Sequence, residues 1–208
     1  VRNICVNGEI WTGSGTSVTK TFPALKDIQC TFDAYGRENV QNGDNCPEEN
    51  HNCAVMKISY GKFDYYAGAD MQYDGRSSKS WKDIELPVAM VVGQVEVMKA
   101  NHHAVTNTNQ DAAVRALNPQ TVVITSWQDL HPRTLVLESM LSSAPAADFF
   151  VTNFVTSPRS DKEISGAVAA RVKGKNGHIL IRVSEGGDEY KIYTLSDSDG
   201  KMLVKNIS

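Results

Sequence analysis

Apolar and polar residues follow each other at strand-like spacing along two adjacent stretches, residues 54–60 (AVMKISY) and 63–67 (FDYYA). Such spacing favours β-strands, because successive side chains of a strand point to opposite faces of the sheet. Gly61 and Lys62 separate the two stretches. A two-residue connection that contains Gly is typical of a tight turn between antiparallel strands. The pattern therefore predicts a β-hairpin.

After this hairpin, strand-like and helix-like patterns alternate. Short apolar runs predict strands over residues 95–100, 121–125 and 148–152. Apolar residues three or four positions apart predict helices within residues 81–92 and over residues 109–117 and 133–142. The helix over 109–117 would begin at Thr108 or Asn109 as N-cap and end at Asn118-Pro119. The strand over 121–125 (TVVIT) has no charged residue, so we expect both its faces to be buried.

The two ends of the chain differ in regularity. In the first 53 residues, only residues 27–34 (DIQCTFDA) alternate well enough to predict a strand. The tail predicts three strands, over residues 166–172, 178–184 and 190–195, with turns at 174–177 and 185–188, and hence an antiparallel meander. Strand and helix alternation in the middle predicts an α/β fold. We expect a single domain over residues 1–208, with an irregular, cysteine-containing lead (1–53) and a regular core (54–195).

Composition narrows the classes of protein. At 41% hydrophobic residues the chain can bury a core, which argues against disorder. The net charge of −3 and the lack of a basic stripe argue against binding nucleic acid through bulk charge. No apolar run reaches the roughly 20 residues that cross a bilayer, so we expect no membrane segment.

Cysteine usage leaves the compartment open. The four cysteines, Cys5, Cys30, Cys46 and Cys53, all fall in the first quarter of the chain. An even number permits disulfides, of which a Cys46–Cys53 bond is the most local, but scattered thiols are equally ordinary in a reduced cytoplasmic protein. Both alternatives stay open, and so does a cytoplasmic, periplasmic or secreted location.

Two groups of residues could carry chemistry. Asp70 comes directly after the strand over 63–67, where it could contact a ligand or metal; the alternative is a turn Asp that caps the next segment. His102 and His103 follow the strand over 95–100, and adjacent histidines on an extended backbone point to opposite sides. One could then bind a metal while the other contacts substrate; the alternative is a solvated surface pair. If the two strands are neighbours in the sheet, the residues that follow them lie along one shared rim. Such a rim would offer imidazole nitrogens and a carboxylate oxygen, a mixed ligand set that suits zinc or manganese.

The other histidines are weaker candidates. His131 follows the strand over 121–125 on the same rim, where it could line the pocket or instead cap the helix that begins near Arg133. We expect His51 to be solvated in a polar loop and His178 to be structural at the start of a tail strand.

Three ordered motifs resemble one known family. Residues 49–70 (ENHNCAVMKISYGKFDYYAGAD) resemble the segment that leads to the Gly-Asp motif of metallo-β-lactamase-fold hydrolases. Residues 95–105 (VEVMKANHHAV) resemble the strand that ends in His-His-Gly-Ser in the ComEC-like branch, which is related to competence proteins for DNA internalisation. Residues 117–126 resemble the helix-Pro-strand unit that comes next. The resemblance covers roughly residues 30–195.

This resemblance implies a fold and an activity. The fold would be an αββα sandwich, and the activity would be hydrolysis of a phosphodiester or another ester by a metal-bound hydroxide. Asp70 would bridge two divalent metal ions, zinc or manganese; one of His102 and His103 would be a ligand and the other would face the substrate. His103 is the weakly favoured ligand, and His131 would support the pocket. Substrates in this branch include small-molecule and nucleic-acid phosphodiesters.

The chain also departs from the family pattern. The family's metal loop, His-x-His-x-Asp-His, is absent: the five histidines contain no His-x-His. Ala104-Val105 stands where the family has Gly-Ser. With Val1 as first residue, we expect the C-terminal portion of a longer domain, bound to its N-terminal half or to a second copy, with weak or no metal binding and no turnover alone. The alternative is a non-catalytic binding module that retained the fold and lost the metal loop.

Overall fold

The computed structural model describes residues 1–23, 27, 49–73, 80–154, 164–196 and 203–207. These residues form an α/β fold with a nine-stranded mixed sheet, a three-stranded antiparallel sheet and four α-helices. The strands are β1 (Arg2–Val6), β2 (Glu9–Trp11), β3 (Val18–Lys20), β4 (Val55–Tyr60), β5 (Phe63–Ala67), β6 (Val97–Lys99), β7 (Thr121–Ile124), β8 (Asp148–Val151), β9 (Val172–Lys175), β10 (His178–Val183), β11 (Tyr190–Ser196) and β12 (Leu203–Ile207). The helices are α1 (Glu85–Val92), α2 (Asp111–Leu117), α3 (Thr134–Ser143) and α4 (Gly166–Arg171).

The order of strands determines where a site can form. The large sheet runs β3-β2-β1-β4-β5-β6-β7-β8-β9, antiparallel as far as β5 and parallel from β5 to β9. Because parallel strands point the same way, the carboxyl ends of β5, β6 and β7 lie along one edge of the sheet. Ligand sites of open α/β sheets form at this edge.

The middle of the chain confirms the predicted pattern. β4 and β5 pair as the predicted hairpin, with Tyr60 opposite Phe63 across the Gly61-Lys62 turn. Every residue of β7 is buried, as expected for a strand covered on both faces. α1, α2 and α3 lie within two residues of the predicted helices or inside them. α2 ends at Asn118 in a left-handed conformation as predicted, but its N-cap is Gln110 and not Thr108 or Asn109.

The prediction of a strand over residues 166–172 is wrong. Gly166–Arg171 (GAVAAR) forms α4, whose N-cap residue Ser165 accepts a hydrogen bond from the Val168 amide. Three alanines favour a helix, and a serine N-cap satisfies one of its free amides. The chain then enters β9, which pairs with β8 in the large sheet. The C-terminal meander therefore consists of β10, β11 and β12.

The N-terminal lead contains regular structure that the pattern did not predict. β1 and β2 form a hairpin across Asn7-Gly8, both of which have positive φ (49° and 73°). Asn-Gly is the strongest short-range hairpin signal, because both residues tolerate that conformation. β1 also pairs with β4, so the lead extends the large sheet. Most of the strand predicted over residues 27–34 lies outside the described residues.

The two faces of the large sheet are covered differently. One face packs against the helices in the main core, which includes Tyr66, Met98 and Phe149. On the other face Phe63, Val97 and Val123 form a smaller core with Ile179 and other residues of β10 and β11. Helices, large sheet and small sheet therefore form three layers.

The turn between β10 and β11 packs against the turn between β4 and β5. The Lys62 amide donates to the Gly186 carbonyl at 3.1 Å, and Gly187 has φ of +77°. A Cβ at Gly187 would lie 2.0 Å from the Tyr60 carbonyl oxygen. These contacts hold the small sheet on the large one.

We therefore expect Gly187→Ala to lower the free energy of unfolding by about 2 kcal/mol, because it adds both backbone strain and a steric clash. Gly13→Ala is the matched control, since Gly13 also has positive φ (+90°) but no atom lies within 4 Å of its Cβ position. Urea unfolding of both variants measures the difference. Equal losses in the two variants would show that the turn contact contributes nothing.

Two expectations about the whole chain can be compared with the fold. None of the helices in the described part of the chain has the length and apolar character needed to cross a bilayer. Cys5 and Cys53 carry free thiols, so the Cys46–Cys53 disulfide is not formed; Cys30 and Cys46 themselves lie outside the described residues.

Candidate functional site

All four residues predicted for the site lie together at the carboxyl edge of β5, β6 and β7. His103 Nε2 is 3.4 Å from Asp70 Oδ2. The rings of His103 and His131 stack with centroids 5.1 Å apart, and the His102 ring lies 5.8 Å from that of His103 and 6.3 Å from that of His131. The predicted rim is therefore present as a cluster of three imidazoles and one carboxylate.

The backbone of the histidine pair differs from the prediction. His102, His103 and Ala104 have φ values of 41°, 57° and 57°, so they form a left-handed turn and not an extended segment. The two rings are neighbours in this turn and do not point to opposite sides. Left-handed backbone is disfavoured for residues with a Cβ, which explains why residue type alone did not predict it. We call residues 102–104 the histidine turn.

Hydrogen bonds distinguish the two histidines of the turn. His103 Nδ1 lies 2.5 Å from the Thr125 carbonyl oxygen, which can only accept, so Nδ1 carries the proton. The other nitrogen, Nε2, then has the free electron pair in the neutral ring, and it faces Asp70. His102 Nδ1 accepts from the side-chain Nδ2 of Asn50 at 3.3 Å. These contacts favour His103 over His102 as a partner of whatever Asp70 binds.

Lys99, which the sequence patterns do not predict as a site residue, lies beside Asp70. Lys99 Nζ donates to the carbonyl oxygens of Ala69 (2.6 Å) and Ala100 (3.0 Å) and lies 3.5 Å from Asp70 Oδ1. Burial lowers the pKa of Lys99, and the Asp70 carboxylate opposes that shift. The sequence signal for a site residue here is a single lysine in the otherwise apolar end of the strand over 95–100. Lys99 partly neutralises Asp70 from the side away from His103.

Cys53 also borders the site. Its thiol donates to the Asn50 carbonyl at 3.1 Å and accepts a hydrogen bond from the Asp70 backbone amide. Burial raises the pKa of Cys53, so the sulfur is a thiol and not a thiolate near neutral pH. The Cys53 thiol therefore connects the backbone at Asp70 to the backbone at Asn50.

The loop after β7, which also contains His131, presents an exposed indole. The side chain of Trp127 is 82% exposed, yet its backbone is fixed because its carbonyl accepts from the Asn153 side chain at 3.0 Å. Ser126 binds the same segment through its amide and hydroxyl. Trp127 is not among the residues that the sequence patterns predict for the site, although a tryptophan in a strand-end loop is a visible signal.

The remaining two histidines differ in burial. His51 is fully buried in a short 3₁₀ helix, so the expectation that it is solvated is wrong. His178 begins β10 in the small sheet, as predicted.

Comparison with known proteins does not identify a family. No family model matches the chain, and no curated protein matches it.

The donor set can be tested against the metal that the resemblance implies. His103 Nε2 and Asp70 Oδ2 face each other at 3.4 Å with no proton between them when the ring is neutral, an arrangement that a proton or a metal ion would stabilise. Within the described ranges, however, no group of three or more His, Cys, Asp and Glu side chains is placed to hold a metal ion. The residues present fit two ligands of a divalent ion, but not a complete site.

The stacked ring of His131 should titrate abnormally. Burial lowers its pKa from the ordinary histidine value of 6.5, and the charges of His103 and His102 lower it further. We expect His131 to be neutral at pH 7 and its pKa to rise towards the ordinary value in His103→Ala, which removes the neighbouring ring with the larger of these two effects. The ring C2 proton resonance, followed by NMR against pH, measures both values. A pKa at or above the ordinary value in the unmodified chain would contradict the stacking.

Proposed function

We propose that this chain is the C-terminal portion of a metal-dependent hydrolase of the metallo-β-lactamase superfamily, close to its ComEC-like branch. The substrate would be a phosphodiester, of a small molecule or a nucleic acid, or another ester. The Asp70–His103 pair at the carboxyl edge, with His102 and His131 beside it, carries the proposal. A carboxylate oxygen and an imidazole nitrogen that face each other are the mixed donor set that zinc or manganese binds.

Each residue has a defined task in this hypothesis. Asp70 would offer its two oxygens to the metals, and His103 would offer Nε2, held in that tautomer by the Thr125 carbonyl. His102 and the neutral ring of His131 would line the substrate pocket and accept or donate protons there. Two divalent ions, when bound, would lower the pKa of a water and hold the ester oxygen.

The layers of the fold support the same family. A helical layer, a large mixed sheet and a second antiparallel sheet correspond to three layers of an αββα sandwich. In this hypothesis the fourth layer and the remaining metal ligands come from an N-terminal half that carries His-x-His-x-Asp-His, or from a second copy of the chain. Met56, Ile58 and Tyr60 on β4, which are 40%, 37% and 52% exposed, are apolar surface that such a partner could cover.

Metal analysis tests the proposal. The longest natural protein that contains this chain should hold about two zinc or manganese ions per molecule, and the 208-residue chain should bind zinc weakly or not at all. Elemental analysis after dialysis measures the first, and competition with a chromogenic chelator measures the second. A long form that contains no metal and hydrolyses no phosphodiester would refute the enzyme hypothesis.

One observation favours a second function, a non-catalytic binding module of the same fold. Lys99 Nζ lies 3.5 Å from Asp70 Oδ1 and already supplies the carboxylate with a positive partner. If the coding sequence upstream of Val1 contains His-x-His-x-Asp-His, the enzyme is supported; if Val1 directly follows a start codon, the module is supported.

A further inference from the structure

A buried carboxylate is hydrogen-bonded to residues on both sides of the histidine turn. Glu85, the first residue of α1, is 1% exposed. Its Oε1 accepts from Asn101 Nδ2 and from the Asn109 amide, both at 2.8 Å. Its Oε2 accepts from the Gln110 amide, also at 2.8 Å. One side chain therefore binds both ends of the loop that carries the histidines.

Asn101 and Asn109 close that loop on themselves. The Asn101 amide donates to Asn109 Oδ1 at 2.8 Å, and Asn109 Nδ2 donates back to the Asn101 carbonyl at 3.0 Å. The buried hydroxyl of Tyr66 donates to Asn101 Oδ1 at 3.2 Å. Both asparagines are 2% exposed. We call Glu85, Asn101 and Asn109, with Tyr66, the carboxylate clamp.

The histidine turn needs such a clamp for a physical reason. Three consecutive residues with a Cβ, His102 to Ala104, have left-handed φ values, and each such residue costs about 1–2 kcal/mol relative to ordinary backbone. Strained backbone persists only where surrounding contacts determine it. The clamp fixes the residue just before the turn, Asn101, and the residues that end the loop. Glu85 supplies two buried carboxyl oxygens, which together accept three hydrogen bonds from the residues on either side of the turn.

We propose that Glu85 is a positioning residue, which acts through Asn101 and Asn109 to hold the histidine turn left-handed so that His103 Nε2 faces Asp70. The effect of the clamp on the histidine turn is inferred only from hydrogen bonds within the chain. Its consequence for metal binding rests on the proposed function. The competing interpretation is that Glu85 only stabilises the core and has no effect on the rings.

Imidazole nitrogen NMR of the metal-free 208-residue chain separates the two interpretations. When the nitrogen signals of the unmodified chain are followed against pH, the neutral form of His103 should be a single tautomer with the proton on Nδ1, which faces the Thr125 carbonyl. Glu85→Gln should lose this pure tautomer signature while the chain remains folded. Tyr190→Phe is the control, because it removes a polar contact to Thr121 at the opposite edge of the sheet. Unchanged His103 signals in folded Glu85→Gln would overturn the proposal.

A second variant decides the matter if Glu85→Gln does not fold. Tyr66→Phe leaves Glu85 in place and removes only the hydroxyl that binds Asn101. We expect it to change the His103 nitrogen signals in the same direction by a smaller amount. No change in this folded variant would overturn the clamp.

Zinc affinity of the long form distinguishes failure of the clamp from failure of the proposed function. Glu85→Gln should weaken zinc binding by about tenfold, the usual effect of removing a support behind a ligand. If the long form binds no zinc but the His103 signals respond to Glu85, the clamp stands and the proposed function fails. If zinc binds and the signals do not respond, the proposed function stands and the clamp fails.

Discussion

Asp70→Ala should abolish both metal binding and phosphodiester hydrolysis in the longest natural protein that contains this chain. Asp70 is the carboxylate that faces His103 Nε2 at 3.4 Å, so its removal takes away an oxygen donor and the charge that favours a cation. It also leaves the Lys99 ammonium, 3.5 Å from Asp70 Oδ1, without its counter-ion next to the remaining imidazoles. A metal ion there would meet a positive neighbour and one ligand fewer.

The matched control is Asp188→Ala. Asp188 is an exposed carboxylate that pairs with Lys62 at 2.6 Å in the turn region of the small sheet. Elemental analysis and hydrolysis of a generic phosphodiester should be unchanged in this variant. Metal and activity that survive in Asp70→Ala would remove Asp70 from the site and with it the proposed assignment.

The second large effect is a dependence of stability on pH that originates in Glu85. Burial raises the pKa of Glu85 from 4.5 to about 7, Asp83 adds to the shift, and the three N–H donors oppose it. Between these two pKa values the folded chain binds the proton more tightly than the unfolded chain does. The contribution of Glu85 to the free energy of unfolding therefore falls as pH rises through this window, by up to about 3 kcal/mol.

Glu85→Gln isolates this contribution because every other titrating group is shared with the unmodified chain. Urea unfolding at about pH 5 and about pH 8 should show that the unmodified chain loses stability relative to the variant as pH rises. A difference between the two proteins that is independent of pH would mean that Glu85 remains ionised throughout. The three hydrogen bonds would then outweigh its burial.

The sequence patterns predicted the parts of the fold where residue type and local conformation agree. The hairpin of residues 54–67, the buried strand β7 and the shared rim of Asp70 and His103 are of this kind, because strand order alone brings the rim together. For residues 166–171 the pattern predicts a strand, but the structure has a helix. The segment is ambiguous because its alanines and serine N-cap favour a helix, whereas a valine favours a strand.

Other parts depend on contacts between distant residues, which no local pattern contains. The left-handed histidine turn is bound by Glu85, which precedes His102 by a helix and a strand. Lys99 reaches Asp70 only because β5 and β6 are parallel neighbours. His51 was expected in solvent from its polar neighbours, whereas the structure buries it completely. Tertiary packing decided each of these positions.

The hydrogen bond from the Arg133 amide to the Ala104 carbonyl, at 2.9 Å, joins the histidine turn to the first turn of α3. The loop that carries His131 leads directly into Arg133. The segments that carry the three imidazoles are therefore hydrogen-bonded to each other as well as connected to strands of the sheet. Loops on separate strands usually open independently, at little cost in free energy. Here exchange of the Arg133 amide requires the contact between the histidine turn and the start of α3 to open, so the opening of one loop is coupled to the other.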